Sequence, residues 1–166
     1  MAENKILTTI GSIITFKASG GTVAWTPTSL ASGAGRASAQ YDFGTGPVGD
    51  LWACRCQIVP GGTRVVGEVG RLYAKWGNGS TDDTSDGTSD AVVSASDKLR
   101  NLAQLASLQI DKNAADKMCT AVFPFYRLDR YLQWVAWNAT ANSWSGTSTD
   151  FLIEMWPLVA AVQPLA

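Results

Sequence analysis

The 166-residue sequence contains no histidine, and only 16% of its residues are charged. Without histidine the chain has no Ser-His-Asp triad, no Cys-His pair and no histidine-ligated metal. Charged residues make up about 25% of an average soluble protein, so the surface of this chain is poor in charge. We expect such a surface to be partly covered by other chains.

A glycosidase would need only two carboxylates, so histidine-free catalysis has to be considered separately. The carboxylates outside the main acidic segment are Asp42, Asp50, Glu68, Asp111, Asp116, Asp129, Asp150 and Glu154. None of them stands in a sequence context that indicates a raised pKa. We therefore predict a protein that is not an enzyme, with no catalytic residue and no cofactor.

The net charge of −1 is divided unevenly along the chain. Residues 77–97 contain five aspartates and no Lys or Arg, so they carry −5 and the rest of the chain carries +4. That excess is too small and too scattered for a nucleic-acid-binding face. No stretch is long and apolar enough to span a bilayer, and the N-terminus lacks the pattern of a signal peptide. We expect neither a nucleic-acid nor a membrane partner.

The acidic segment "GNGSTDDTSDGTSD" (residues 77–90) partly matches a calcium-binding loop. Counted from Asp82, aspartates fall at positions 1, 5 and 9, Thr84 at 3 and Gly87 at 6. Position 12, where a bidentate glutamate belongs, is Val93, and no helix is predicted on either side. We therefore interpret the segment as a solvated surface loop and predict no metal site.

The three cysteines, Cys54, Cys56 and Cys119, are predicted to be reduced and buried. Cys54 and Cys56 are two residues apart on one strand, a spacing of about 6.5–7 Å that does not suit a disulfide. Three thiols without histidine also match no usual zinc site.

Strand patterns dominate the sequence. In "LWACRCQIV" (residues 51–59) Trp52, Cys54, Cys56 and Ile58 alternate with Ala53, Arg55 and Gln57, and "RLYAKW" and "TDFLIEMW" alternate in the same way. Glycine-rich turns separate such segments. These features predict an all-β fold, an antiparallel β-sandwich or jelly roll of eight or nine strands. We assign residues 1–20 to an N-terminal arm or first strand and residues 21–166 to a single β-sandwich domain.

One segment, "DKLRNLAQLASL", is predicted to contain one or two turns of helix. Its leucines Leu99, Leu102, Leu105 and Leu108 are three residues apart. Ser96 or Asp97 is the expected N-cap.

Two regions are candidates for contact with a partner. Ile6, Leu7 and Ile10 concentrate apolar surface near the N-terminus, as expected for an arm that adds to a neighbour's sheet edge. Of the seven tryptophans, Trp144 lies in a polar loop and Trp156 alternates outward on its strand, so both are predicted to be exposed.

The order of segments over residues 25–157 resembles small virion proteins of tailed bacteriophages. The resemblance is carried by "SLASGAGRASAQYDFG", a strand ending in "LYAKW", a long Gly/Ser/Thr/Asp loop, and "LRNLAQLASLQIDKNAADKMCTAVFPFYRLDRYLQWVAWNATANSWSGTSTDFLIEMWPL". Such proteins are all-β and decorate heads or form parts of tails and fibres. The acidic loop and the C-terminal "VAAVQPLA" depart from that pattern.

The resemblance implies a capsid decoration (cement) protein in the virion, assembled in the host cytoplasm, that clamps neighbouring copies of the major capsid protein. We expect a homo-oligomer, with a trimer as the first candidate. Two alternatives stay open: a tail or fibre component, and a β-sandwich carbohydrate-binding module that uses Trp144 or Trp156.

Overall fold

Two β-sheets make up the computed structural model, which describes residues 5–45, 50–77, 87–100, 102–111, 118–119 and 122–163, with the backbone alone at 5–10, 119 and 159–163. The strands are β1 (Lys5–Ile10), β2 (Ile14–Lys17), β3 (Val23–Ala24), β4 (Gly35–Ala37), β5 (Tyr41–Asp42), β6 (Leu51–Ile58), β7 (Val69–Gly77), β8 (Ala91–Val93), β9 (Ala103–Gln109), β10 (Met118–Cys119), β11 (Phe123–Tyr126), β12 (Tyr131–Asn138) and β13 (Leu152–Gln163). Short 3₁₀ turns occupy Ser96–Leu99 and Ser148–Asp150.

Sheet 1 has seven strands arranged around β13. Strand β13 pairs with β6 on one side and with β2 and β1 on the other, and β6 pairs in turn with β10 and β11. Strand β1 continues β2 along the same partner, since Ile14 pairs with Met155 and Ile10 with Leu158. All of these pairs are antiparallel, and only β2 with β3 is parallel.

Sheet 2 has six strands arranged around β12. Strand β12 pairs with β7 on one side and with β4 and β5 on the other, while β9 and β8 form the outer strands. The predicted all-β sandwich is therefore confirmed. The described residues form thirteen strands rather than eight or nine because several long strands are broken into short pieces that share one partner, as β10 and β11 do on β6.

The core lies between the two sheets and follows the predicted alternation. Trp52, Cys54, Cys56 and Ile58 of β6 are all buried, as are Ile153 and Met155 of β13. From sheet 2 they meet a second set of buried side chains: Leu72, Ala74, Leu108, Leu132, Trp134 and Ala136. Burial of these apolar side chains is the main favourable contribution to folding.

A second, smaller cluster covers the opposite face of sheet 2. It contains Ala37, Tyr73, Val93, Leu99, Val135 and Trp137, with Leu102 packed against it. Tyr73 alternates away from the core as expected, yet it is buried because the chain from β8 to the start of β9 lies over this face. The central part of sheet 2 is thus buried on both sides.

The short helical segment predicted for the leucine-rich region is present as the 3₁₀ turn Ser96–Leu99, but it does not continue through the later leucines. The predicted N-cap is wrong, because Ala95 precedes the turn without a side-chain cap, so neither Ser96 nor Asp97 is the N-cap. The following residues form β9, which pairs with β7 from Val69↔Gln109 to Ala74↔Ala103. Pairing with β7 satisfies backbone N–H and C=O groups that a short helix would leave without hydrogen-bond partners. A spacing of three residues between leucines is compatible with a helix and with this strand.

Candidate partner interface

Trp144 is buried, with 2% of its surface exposed, so its predicted exposure is wrong. Its ring stacks on Phe151 with centroids 6.0 Å apart, and its backbone N–H donates to the carbonyl of Leu30 over 3.0 Å. Ser145 donates likewise to Val59. The polar loop folds back onto the sandwich, and the tryptophan seals that end of the core.

Trp156 lies on the face of sheet 1 that is turned away from the core, as predicted from its alternation with Met155. Its partner across the sheet is Ala53, and the partner of Ala53 on the other side is Pro124. Ala53 is only 3% exposed, as expected for a small residue between two larger ones. Trp156 itself is partly exposed. A row of three apolar residues therefore crosses this face.

A neighbouring row extends the apolar surface. Tyr126 pairs with Leu51, and Tyr126 is 67% exposed. We call the residues of the two rows the outer stripe: Leu51, Ala53, Pro124, Tyr126 and Trp156. Beside it lie two further exposed apolar residues, Val122, which directly precedes β11, and Ile13, which directly precedes the partner of Met155.

Charged residues border the outer stripe. Arg55 pairs with Glu154 across the sheet, one row from Trp156, and their side chains form an ion pair. An apolar centre with Trp and Tyr, bordered by polar and charged groups, is the usual anatomy of a protein–protein interface. Sheet 2, in contrast, has its outer face covered by its own second cluster.

The predicted arm residues Ile6, Leu7 and Ile10 lie in β1, which pairs with the C-terminal half of β13. The register sets Ile6 opposite Val162, Leu7 opposite Ala161 and Ile10 opposite Leu158. The pairing of β13 with β6 ends at Pro157↔Trp52, so β1 and residues 158–163 form a two-stranded ribbon beyond β6. Six residues of strand correspond to about 20 Å. Within the described ranges no third strand pairs with this ribbon.

The ribbon and the outer stripe are joined through β13, because Trp156 stands two residues before Leu158. Ile6, Leu7 and Ile10 thus lie on β1, which pairs with β13, and Trp156 lies on β13 itself. Trp144 is buried in the loop between β12 and β13 and is not part of this surface. Sequence reasoning missed Tyr126. In "FPFYRLD" apolar residues occupy both parities of the strand, so alternation alone does not tell which set faces the core.

A charged turn lies at the end of the outer stripe, between β11 and β12. The guanidinium of Arg130 donates two hydrogen bonds to the carboxylate of Asp42, at 2.8 and 2.7 Å, and lies over the ring of Tyr131. These bonds, together with a bond from the backbone N–H of Gly44, lower the pKa of Asp42 from 3.8 to about 2. Arg127 lies 3.5 Å from Asp50 and over the ring of Phe43.

Most of the acidic segment, residues 78–86, lies outside the described residues, and its calcium-loop interpretation with it. Asp90, at the ninth loop position, is described and engaged elsewhere: Arg36 Nε lies 2.5 Å from its Oδ1, and Thr26 Oγ1 donates to its Oδ2. Across the described ranges no three His, Cys, Asp or Glu side chains group as a metal site would require.

Cys54 and Cys56 are buried, and neither forms a disulfide. Burial raises the pKa of the Cys54 thiol well above its ordinary value, with a smaller contribution from neighbouring Cys56. Such thiols are poor nucleophiles and act as small apolar core residues. The side chain of Cys119 lies outside the described residues.

No model of a protein family matches the chain, and no curated protein matches it. Among the described residues no helix has the length and apolar character needed to cross a membrane.

Proposed function

We propose that this chain is a non-enzymatic structural protein of a tailed-phage virion, a head decoration protein that binds across neighbouring capsid subunits. The proposal rests on the sequence resemblance together with one structural observation: the outer stripe exposes Tyr126 and Trp156 on a sheet face that has its own charged border. Burying such aromatic side chains stabilises protein assemblies, and Trp, Tyr and Arg are the residues that most often dominate their affinity.

The terminal ribbon supports the same proposal. It carries Lys5 as its single charged residue over residues 5–10 and 158–163, and it extends past the sandwich. A ribbon of this kind can pair with a strand of a neighbouring subunit and so satisfy backbone and apolar groups together. In the proposed role the outer stripe supplies the main contact and the ribbon fastens it.

The test uses phage particles that lack the gene for this chain. Purified protein is added back and binding is measured by co-sedimentation, and gold-labelled antibody shows whether the label lies on heads or on tails. We expect head labelling, and at least a tenfold weaker binding by Trp156→Ala and Tyr126→Ala. Val92→Ala, an exposed valine on sheet 2, is the matched control and should bind like wild type.

Labelling confined to tails or fibres would favour the tail component over the head protein. Unchanged binding by both aromatic variants would remove the outer stripe from the contact.

The second candidate, a carbohydrate-binding module, is favoured by the exposed Tyr126 and the partly exposed Trp156, because sugars stack on aromatic rings. Trp144, one of its two predicted platforms, is buried. A glycan array with and without EDTA separates the two functions: retained sugar binding that Trp156→Ala abolishes would establish the module and overturn the decoration role.

A further inference from the structure

The most exposed large apolar side chain of the described residues is Leu128, at 70%, and Tyr126 follows at 67%. Both belong to the turn that joins β11 to β12, which we call the Leu128 turn (residues 126–130). Because Tyr126 pairs with Leu51, the turn stands at the end of sheet 1 where β6 begins.

The Leu128 turn is held rigidly at both of its sides. The backbone N–H of Arg127 donates to the carbonyl of Asp50 over 2.7 Å, and that of Phe43 donates to the carbonyl of Arg130 over 3.0 Å. The two side-chain hydrogen bonds from Arg130 to Asp42 hold the Arg130 side of the turn as well. A rigid turn that exposes leucine loses little conformational freedom on binding, which favours affinity.

The charge exposed beside Leu128 is negative. Arg127 lies 3.5 Å from Asp50 and Arg130 is engaged by Asp42, whereas Asp129 is exposed and forms no ion pair with another described residue. A surface that receives Leu128 should therefore combine an apolar recess with a cation at its rim.

Such a recess lies at the other end of the same sheet. Its lining is formed by Lys17, Ser19, Ser148, Thr149, Phe151 and Leu152, around a cavity of about 240 Å³. Phe151 is buried beneath it. No ion pair with another described residue engages Lys17, which stands at the rim. We call this recess the Lys17 pocket.

The turn and the pocket are on one molecule but far apart. Leu152 of the pocket pairs with Gln57, and Tyr126 of the turn pairs with Leu51. Six residues of β6 separate the two positions, or about 20 Å. One chain therefore cannot fill its own pocket with its own turn.

We propose that the Leu128 turn of one copy of this chain enters the Lys17 pocket of a second copy, where Asp129 faces Lys17. Because the Leu128 turn and the Lys17 pocket are different surfaces of the molecule, the contact between the two copies is head-to-tail. Head-to-tail contacts generate closed rings when the rotation between copies permits closure, and a ring that closes after three copies would be the predicted trimer. The contact does not depend on the decoration role, which is tested separately at Trp156.

Two variants and their mixture test the proposal. Leu128→Asp removes the apolar side chain of the Leu128 turn (the knob), and Ser148→Trp fills the Lys17 pocket from an exposed position outside the core. Analytical ultracentrifugation at tens of micromolar should show an oligomer for wild type and at least a tenfold weaker association for each variant alone. Mixed together, the variants retain one intact knob and one intact pocket, so they should form a dimer and nothing larger.

Charge exchange provides the second measurement. Lys17→Glu should weaken self-association, and Asp129→Lys combined with it should restore part of the loss. Val66→Asp, at an exposed valine in another loop, is the control and should associate like wild type.

A monomeric wild type, oligomers that survive both variants, or a mixture that fails to form the dimer would each overturn the proposal. The last result would mean that the copies meet through one shared, two-fold surface.

Discussion

Asp42 and Arg130 meet in a forked ion pair that closes the end of the sandwich where β5 and β12 run side by side. The two hydrogen bonds are 2.8 and 2.7 Å long, and they join residues 88 positions apart in the sequence. These bonds connect the turn between β11 and β12 to the segment around β5. There Tyr41 and Phe43 flank Asp42 and contact each other edge to face, with ring centroids 5.0 Å apart.

The forked pair predicts an acid dependence of stability. The pKa of Asp42 falls from 3.8 to about 2 in the folded protein, so its contribution is present above about pH 4 and is lost as the pH falls toward 2. Wild type should therefore exceed Asp42→Asn in stability at pH 6, with the gap narrowing below pH 4. Urea unfolding at a series of pH values measures the gap, and a gap independent of pH would contradict the assignment. Because the Asp42–Arg130 pair is exposed, added salt should reduce the stability gap between wild type and Asp42→Asn.

The Arg36–Asp90 ion pair is predicted to stabilise the protein more than the exposed Arg55–Glu154 pair. Arg36 also donates to Thr26 over 2.6 Å, and the Arg36 and Asp90 side chains are 21% and 14% exposed. Because partly buried charged partners are left unsatisfied when one is removed, Asp90→Asn should cost about 1–3 kcal/mol.

Double-mutant cycles with methionine at the arginine and the amide at the acid compare the two pairs directly. The Arg55 side chain is 52% exposed, so its coupling energy should stay below about 1 kcal/mol. Equal coupling energies in the two cycles would show that burial does not govern these pairs.

Gly61 is predicted to tolerate no side chain. A Cβ there would lie 2.6 Å from the carbonyl oxygen of Ser143 and 3.0 Å from that of Trp144, both backbone atoms that form the seal over the core. Gly61→Ala should therefore lower the free energy of unfolding by about 1–3 kcal/mol. At Gly146 the nearest atom is the Ser29 hydroxyl at 3.3 Å, so Gly146→Ala is the control and should change stability by about 0.5 kcal/mol or less. Similar losses at both positions would refute the steric argument.

Deletion of residues 2–10 is predicted to leave the sandwich folded and to weaken attachment to the particle. The described core begins at Ile14, and β1 pairs only with the part of β13 that lies beyond β6. Circular dichroism should stay close to that of wild type. A variant with threonine at Ile6, Leu7 and Ile10 keeps the backbone but removes apolar surface, and it should bind about as weakly as the deletion. Attachment as tight as that of wild type would rule out the arm.

Alternation along the strands predicted much of this fold because one side chain in two must leave water. Trp52, Cys54 and Cys56 satisfy that rule on β6, and Ile153 and Met155 do so on β13. The alternation does not indicate which residues, if any, cover the face of a sheet that is turned away from the core. Tyr73 is buried by the segment around Leu99, and no local pattern in the sequence indicates that return of the chain.

The site was predicted less completely for the same reason. Trp144 stands in a polar loop, and its burial depends on backbone contacts with Leu30 and Val59, more than 80 residues away. Trp156 was assigned correctly to the outer face because its own strand alternates. The Leu128 turn depends on Asp42 and Asp50, which reach it only through the pairing of distant strands.

Burial on both faces distinguishes β12 from β6, where Arg55 is exposed. All residues from Leu132 to Asn138 are buried, and β12 is hydrogen-bonded on both sides. Its amide hydrogens should therefore exchange with solvent only through global unfolding, whereas those of outer strands exchange through local opening. The outer face of sheet 1 can thus adjust to a partner at a small free-energy cost while β12 keeps the architecture closed.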